Sequence, residues 1–313
     1  PRGRGLDVPP TILFDIWPVF TMATCLVGLG SNLGDRRQTI DLATELIDQH
    51  SLARVTACSR IYETRPIGGP DGQGSYLNAA IKLETSLAPE PLLRRLQEFE
   101  AKLGRTRGER WSARTIDLDL LLYDRVTLST GQLTLPHPRL AFRRFVLEPS
   151  AEIAADMTVA DTDWTVEKML KHVNSPPNHV AIVCEPKSIA TELASRTVRA
   201  LNEQFDVPAQ LLNESIAHDD EHATDDDTTG HDPDADIEFR QRSGIWFVSG
   251  GLQLFPQIRK SKLLITLRSD VEFPTICLSA KIPTLIVSLD DEQAAFNEIT
   301  SAILAMHDEP QPL

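Results

Sequence analysis

The chain has 313 residues, of which 41% are hydrophobic and 24% charged, the profile of a soluble globular protein with room for two domains. Its 31 Lys and Arg face 45 Asp and Glu, a formal net charge of −14, which argues against a nucleic-acid partner because such binding rests on neutralising phosphates. No apolar run approaches the roughly 18 residues a membrane span needs, and Cys25, Cys58, Cys184 and Cys277 have neither CxxC nor zinc spacing; no membrane, no metal–thiolate site and a cytoplasmic location with reduced thiols are expected.

Residues 1–21 pair arginines with an apolar patch, but Pro9, Pro10, Asp15 and Pro18 break it. Met22 stands directly before the first strand and is the expected start, which leaves 1–21 as a disordered extension or a mis-assigned start. "ATCLVGLGSNLGDR" reads as a buried strand and a Gly/Ser/Asn turn, with Asp35 as helix N-cap. Ile40, Ala43, Leu46 and Ile47 then recur at helical spacing over 36–50. Residues 53–64 alternate and are β-branched, a strand; 65–75 are a Gly/Pro loop; 76–86 alternate again. Residues 89–103 form an amphipathic helix with Pro in its first turn and Gly104 past its end. A basic loop, 105–113, leads into the strand "RTIDLDLLLYD". The order βαββαβ predicts an α+β, ferredoxin-like first domain over 22–165: an antiparallel sheet with two helices on one face.

The pattern then changes. "HVAIVCEP" is a fresh buried strand, a helix follows over 188–202, and "SGIWFVSGGLQLF", "KLLITLR" and "IPTLIVS" are strands before a C-terminal helix. These predict an α/β domain over 178–313. The insert 218–238 is acidic and of low complexity, a solvated segment.

Chemistry concentrates in the first half. Residues i and i+2 of a strand share a face, so Asp117 and Asp119 lie side by side while Ile116, Leu118 and Leu120 turn into the core. Taken alone, the pair reads more simply as the solvent face of a half-exposed strand. The arginines just upstream, Arg105, Arg107, Arg110 and Arg114, change that balance. Adjacent carboxylates beside guanidinium forks suit divalent metal and a polyphosphate. His137 and Arg143 are further donors, and Tyr76, Trp111, Phe142 and Phe145 are aromatics on or beside loops that could stack a flat heterocycle.

Together, "GLGSNLGDR", "YETRPIGGPDGQGSYLNAA", "LETSLAPEPLL", "LGRTRGERWSARTIDLDLLLYD" and "LTLPHPRL" resemble 6-hydroxymethyl-7,8-dihydropterin pyrophosphokinase of folate biosynthesis over residues 25–160. Ser112 stands where that family has Gly or Ala, and the arginine loop is about one residue short. The resemblance implies diphosphate transfer from ATP to 6-hydroxymethyl-7,8-dihydropterin, with AMP released. It implies two Mg²⁺ on Asp117 and Asp119, and phosphate contacts from Arg105, Arg107, Arg114 and His137. It places the pterin between Tyr76 and Phe145, its edge bonded by Asn78 and the stretch from Thr64 through Pro66 to Ile67. Gln97, Glu100, Trp111, Leu120, Thr134 and Arg143 fall on the nucleotide side. Every matched motif precedes residue 165, so a chain ending there is expected to keep the activity.

Two other classes share the strand order. An RNA-recognition module would need aromatics on its central strands, and "CLVGLG" has none. A pseudo-enzyme scaffold would not need Asp117, Asp119, Arg114, Tyr76 and Asn78 together. In the second half, Lys187 and Ser188 at a strand-to-helix turn suggest a degenerate P-loop, nucleoside-kinase-like domain without the glycines. The favoured reading there is a structural α/β domain that supports a homodimer.

Overall fold

The computed structural model describes residues 22–67, 72–105, 113–160, 162, 164–175, 179–183, 187–211, 245–250, 262–268 and 283–313. The acidic insert, Arg107, Arg110, Trp111 and Ser112 lie outside them. The first half runs β1 (Ala23–Ser31), α1 (Arg36–Asp48), β2 (Ala53–Cys58), β3 (Tyr62–Thr64), β4 (Tyr76–Thr85), α2 (Pro89–Lys102) and β5 (Asp117–Tyr123). The Asp35 carboxylate accepts the Gln38 N–H at 3.0 Å and caps α1. Gly104 has φ +84° and ends α2, a backbone conformation that other residues adopt at a cost.

Strand β1 is central and antiparallel to both β4 and β5. The segment 53–64, expected as one strand, is two: β2 and β3 both pair with β4, and the register shifts between Val55 and Ala57. Between them the Arg60 N–H is diverted from the ladder to the Glu152 carboxylate at 2.8 Å. One sheet face packs Val27, Leu29, Leu118 and Leu120 against α1 and α2. The other carries Leu26, Ala80, Leu121 and Leu122. A register shift between β1 and β5 lets Leu121 and Leu122 both reach that second face.

The second face is not left to solvent. After a small hairpin, β6 (Leu128–Ser129) and β7 (Thr134–Leu135), and a 3₁₀ turn at Leu140–Phe142, helix α3 (Arg144–Ala154) packs on it through Val146 and Leu147. Helix α4 (Val166–Asn174) follows. The second half holds β8 (His179–Val183), α5 (Lys187–Gln204), β9 (Ala209–Leu211), β10 (Ile245–Gly250), β11 (Leu263–Arg268), β12 (Thr284–Ser288) and α6 (Glu292–His307). Its sheet has the order β12-β11-β8-β10-β9, every described pairing parallel. In α5 Leu193 and Leu201 are buried and Ile189 and Val198 pack at the margin, the face expected from their spacing.

The two halves share material. A single hydrophobic cluster runs from Leu26 and Leu121 through Leu147 and Met169 to Val180, Ile265 and Ile299. The Lys262 ammonium donates to the Val173 carbonyl at 2.8 Å and so ties α4 to β11. The chain end, β13 (Gln311–Pro312), adds an antiparallel edge to β3. Among the described residues no helix is long and apolar enough to cross a membrane.

A cut near residue 165 passes through that shared cluster. It removes α4, whose Val166, Met169 and Val173 are buried, each worth roughly 1.5–3 kcal/mol of burial. It also uncovers the outer side of α3. A fragment of residues 22–165 is therefore expected to unfold at a lower temperature than the full chain and to self-associate. Thermal denaturation with size-exclusion chromatography reads this, and a monodisperse fragment with the full-length midpoint would show that the halves fold independently.

Candidate active site

The site is built on the α3 face of the first sheet, where the first turn of α3 supplies part of one wall. On one cross-strand rung Gly30 of β1 sits between Asn78 of β4 and Asp117 of β5. On the next, Gly28 sits between Ala80 and Asp119. The central strand thus presents no side chain between the carboxylates and β4. A Cβ on Gly30 would lie 3.5 Å from the Asn78 Oδ1 and 4.0 Å from both the Asp117 Cβ and the Tyr76 ring. Those are ordinary contact distances, so the glycines relieve no clash; they keep the floor bare for a ligand.

Over this floor lies an open pocket of about 240 Å³. It brings together Thr64, Ile67, Tyr76, Asn78, Arg114, Asp117, Asp119, His137, Arg143 and Phe145, as the sequence led one to expect. The Asn78 amide donates to the Thr64 Oγ1 at 2.9 Å, which sets both groups on one edge of the pocket. Other expected residues stand elsewhere. Pro66 lines a neighbouring cleft. Gln97 and Thr134 are exposed, and Leu120 is in the core beneath the sheet. Glu100 is buried, with its Oε1 accepting the Leu118 N–H at 2.7 Å and bonding Arg105. It braces Arg105 and β5 rather than lining the pocket.

Asp117 is the electrostatic centre. Its two oxygens accept from Arg105 and Arg114, each at 2.7 Å. Burial and the neighbouring Asp119 push its pKa up, and the two arginines oppose the rise. Arg143, deeply placed beside Arg139, is lowered to about 10 by burial first and so stays charged at neutral pH; its guanidinium lies 5.5 Å from the Phe145 ring centre. His137 is lowered to about 3, first by burial and then by Arg143 and Arg139. Its Nδ1 accepts the Arg139 N–H at 3.2 Å, which leaves the proton of the neutral ring on Nε2.

Among the described residues no three His, Cys, Asp or Glu side chains converge as a metal cluster. The carboxylate pair fits a hard cation that keeps water and takes phosphate oxygens, which is how Mg²⁺ binds nucleotides. Both Asp117 oxygens are engaged by guanidiniums, so a cation held there would displace Arg105 or Arg114 contacts.

Some residues of consequence went unread in the sequence. Asn32 is 5% exposed and clamps two loops: its Oδ1 accepts the Arg114 N–H at 2.7 Å and its Nδ2 donates to Gln73 at 3.0 Å. The Ser31 hydroxyl donates to the Thr115 carbonyl at 2.5 Å. Arg36 holds Glu63 at 3.0 Å and the Ser75 carbonyl at 2.7 Å, joining α1 to the end of the Gly/Pro loop. For Ser31 and Asn32 the signal was polar side chains inside the glycine-rich stretch "GLGSNLG" at the end of a buried strand. Arg139 also lines the pocket, two residues after His137.

Residues 26–155 match the profile of the 7,8-dihydro-6-hydroxymethylpterin-pyrophosphokinase (HPPK) family. A 2-amino-4-hydroxy-6-hydroxymethyldihydropteridine pyrophosphokinase of Bacillus subtilis (strain 168) is 48% identical over 141 residues, spanning 44% of this chain and 84% of the relative. Its namesake from Haemophilus influenzae is 38% identical over 146 residues, 47% of this chain and 91% of the relative. A crystal structure of a Plasmodium falciparum HPPK-DHPS variant with pterin and p-hydroxybenzoate superposes with TM-score 0.38 and 11% identity, covering 78% of this chain and 68% of that one.

The depressed His137 pKa has a sign that can be checked. The ring is neutral in the fold down to about pH 3, whereas in the unfolded chain it charges near its ordinary value of about 6.5. Its contribution to stability is present above that value and is lost as pH falls from about 6.5 towards 3. The expected result is an imidazole ¹H shift for His137 that stays flat between pH 5 and 8. A titration midpoint near 6.5 would contradict the geometry around the ring.

Proposed function

The chain belongs to the 7,8-dihydro-6-hydroxymethylpterin-pyrophosphokinase family, and we propose that it transfers diphosphate from ATP to 6-hydroxymethyl-7,8-dihydropterin with release of AMP, in folate biosynthesis. One observation carries the reading: a single pocket holds the Asp117–Asp119 pair, the Arg114 and Arg143 cations, and the Thr64–Asn78 hydrogen-bonding edge with Tyr76 and Phe145. Carboxylates and guanidiniums serve a metal-bound polyphosphate; a polar edge between aromatics serves a flat, nearly neutral heterocycle. The strand order of the first sheet, with the split second strand counted once, supports a ferredoxin-like layout for residues 22–165.

Asp117 and Asp119 are the residues that would hold Mg²⁺, two ions in this reading. Magnesium, when bound, neutralises charge on the phosphate oxygens. Arg105 and Arg114, released from Asp117, bind phosphate oxygens, and the Nε2 proton of neutral His137 gives a further directed donor. Tyr76 and Phe145 stack the pterin, and Thr64 and Asn78 bond its edge. The chain's work is to bring the hydroxymethyl oxygen in line with the β-phosphorus and to keep water out, which is positioning rather than covalent catalysis.

The second half supports a structural reading. Its parallel sheet is of the kind that binds nucleotides in many α/β folds, and Lys187 stands at its first strand-to-helix turn. Yet β8 ends at Val183 and α5 begins at Lys187, so only Cys184, Glu185 and Pro186 intervene. GxxxxGK[ST] wraps phosphate with a longer, glycine-bearing turn. We therefore read residues 178–313 as a structural α/β domain that packs against the first half, in preference to a degenerate kinase-like one.

Asp117→Asn and Asp119→Asn are expected to fold normally and to lose AMP release by several orders of magnitude, since each removes a charged metal ligand and no core packing. Turnover near wild type in either variant would remove the metal assignment. Tyr76→Ala and Phe145→Ala are expected to weaken pterin binding by about 1 kcal/mol or more each while sparing ATP. Calorimetric titration of both ligands decides this, and equal losses for the two would refute the stacking role.

A further inference from the structure

Helix α6 lies outside the matched residues 26–155, yet it backs the pocket. Behind the pocket is a small cavity of about 40 Å³. One side of it is Ile67, Arg139, Arg143 and Phe145, which also line the pocket itself; the other includes Glu298, Ala302 and Ala305 of α6. The alanines allow the helix to approach closely. The Glu298 carboxylate, 15% exposed, bonds the Arg139 guanidinium, 27% exposed. Arg139 and Arg143 are like charges at one pocket wall, each raising the energy of the other, and Glu298 offsets that repulsion.

The position of α6 is fixed at its far end too. The Arg144 guanidinium of α3 donates to the His307 carbonyl at 3.2 Å. Beyond α6, β13 pairs with Tyr62 and Glu63 of β3, directly before Thr64, and the Leu313 N–H donates to the Ile61 carbonyl at 2.9 Å. The stretch that carries Thr64 and Ile67 is therefore held between the pocket on one side and α6 with its tail on the other.

We infer that Glu298 is a positioning residue for the pterin site: it anchors Arg139 to α6 and so sets the wall formed by Ile67, Arg143 and Phe145. This rests on the reading of the pocket as the pterin site. It makes the second half of the chain a working part of the first half's chemistry, without giving it a group that touches the reacting atoms. Removing the carboxylate takes the Glu298 ion pair from Arg139 and leaves its repulsion with Arg143 less offset. The wall then shifts, and the ligand that stacks on Phe145 feels the change.

The test uses the full chain with Glu298→Ala, Glu298→Gln and Glu298→Asp. Pterin is titrated by its own fluorescence, a non-hydrolysable ATP analogue with Mg²⁺ by calorimetry, and AMP release and thermal midpoint are measured in parallel. Glu298→Ala is expected to weaken pterin about tenfold, the scale of a lost charged hydrogen bond, and to change ATP-analogue affinity by less than about twofold. Glu298→Asp is expected to recover most of the loss and Glu298→Gln only part, because charge as well as shape is needed. Should Glu298→Ala fail to fold, the Gln and Asp variants carry the comparison. Unchanged pterin affinity in the folded variants overturns the inference, as do equal losses for both ligands that follow the thermal midpoint. A wild-type chain that binds pterin but releases no AMP contradicts the transfer reaction alone; one that binds no pterin removes the reading on which the inference stands.

Discussion

Two carboxylates side by side on one strand face, beside the sheet's most aliphatic run, must be compensated, and the site is arranged around that need. Asp117 spends both oxygens on Arg105 and Arg114. Glu100, buried under the same strand, braces Arg105 from behind and caps the Leu118 N–H. The chain of charge runs Glu100, Arg105, Asp117, Arg114. Arg105 and Arg114 stand against Asp117, so the carboxylates do not face each other alone. On the proposed reading, a cation would take the Asp117 oxygens and phosphate oxygens would take the guanidiniums.

The backbone around this centre is pinned at points a hydrophobic pattern cannot reveal. Asn32 joins the strand after the basic loop to the end of the Gly/Pro loop, and Arg36 holds that loop to the first turn of α1. Two segments far apart in sequence thus start from one fixed corner. The glycines of β1 add the complementary feature, a floor without side chains. Polar clamps at the corner and a bare floor at the centre together frame the pocket.

Element type was legible in the first half because each periodicity was long. Ile40, Ala43 and Ile47 are buried on α1, and Leu118 and Leu120 turn inward as the alternation requires. The broken strand at 53–64 was not legible: Arg60 leaves the ladder for Glu152, a residue of a helix that arrives 92 positions later. The pocket roster was read well where residues belong to dense local motifs, as with Asp117, Asp119, Tyr76 and Asn78. It was read less well where a role depends on packing. Glu100 turns out to brace rather than line, and Arg139 acquires its place through Glu298, 159 positions away. Single residues whose partners come from a distant element carry no local signature.

The shared cluster bears on how such a chain holds its halves together. In the first half α1 and α2 cover one face of the sheet, and α3 covers part of the other. A sheet so dressed has one remaining apolar side, the outer surface of α3, and in this chain α4, α6 and the parallel sheet occupy it. Apolar burial sets the strength of that junction, but it is indifferent to rotation and slip. Among the described residues, directional contacts that supply register include Lys262 on the Val173 carbonyl, Arg139 on Glu298, Arg144 on the His307 carbonyl, and the β13–β3 pairing. Three of these four fall within one turn or one strand of a pocket wall. A junction needed only for cohesion would have no reason to place its directional bonds there, and this placement is what links the second half to the geometry of the site.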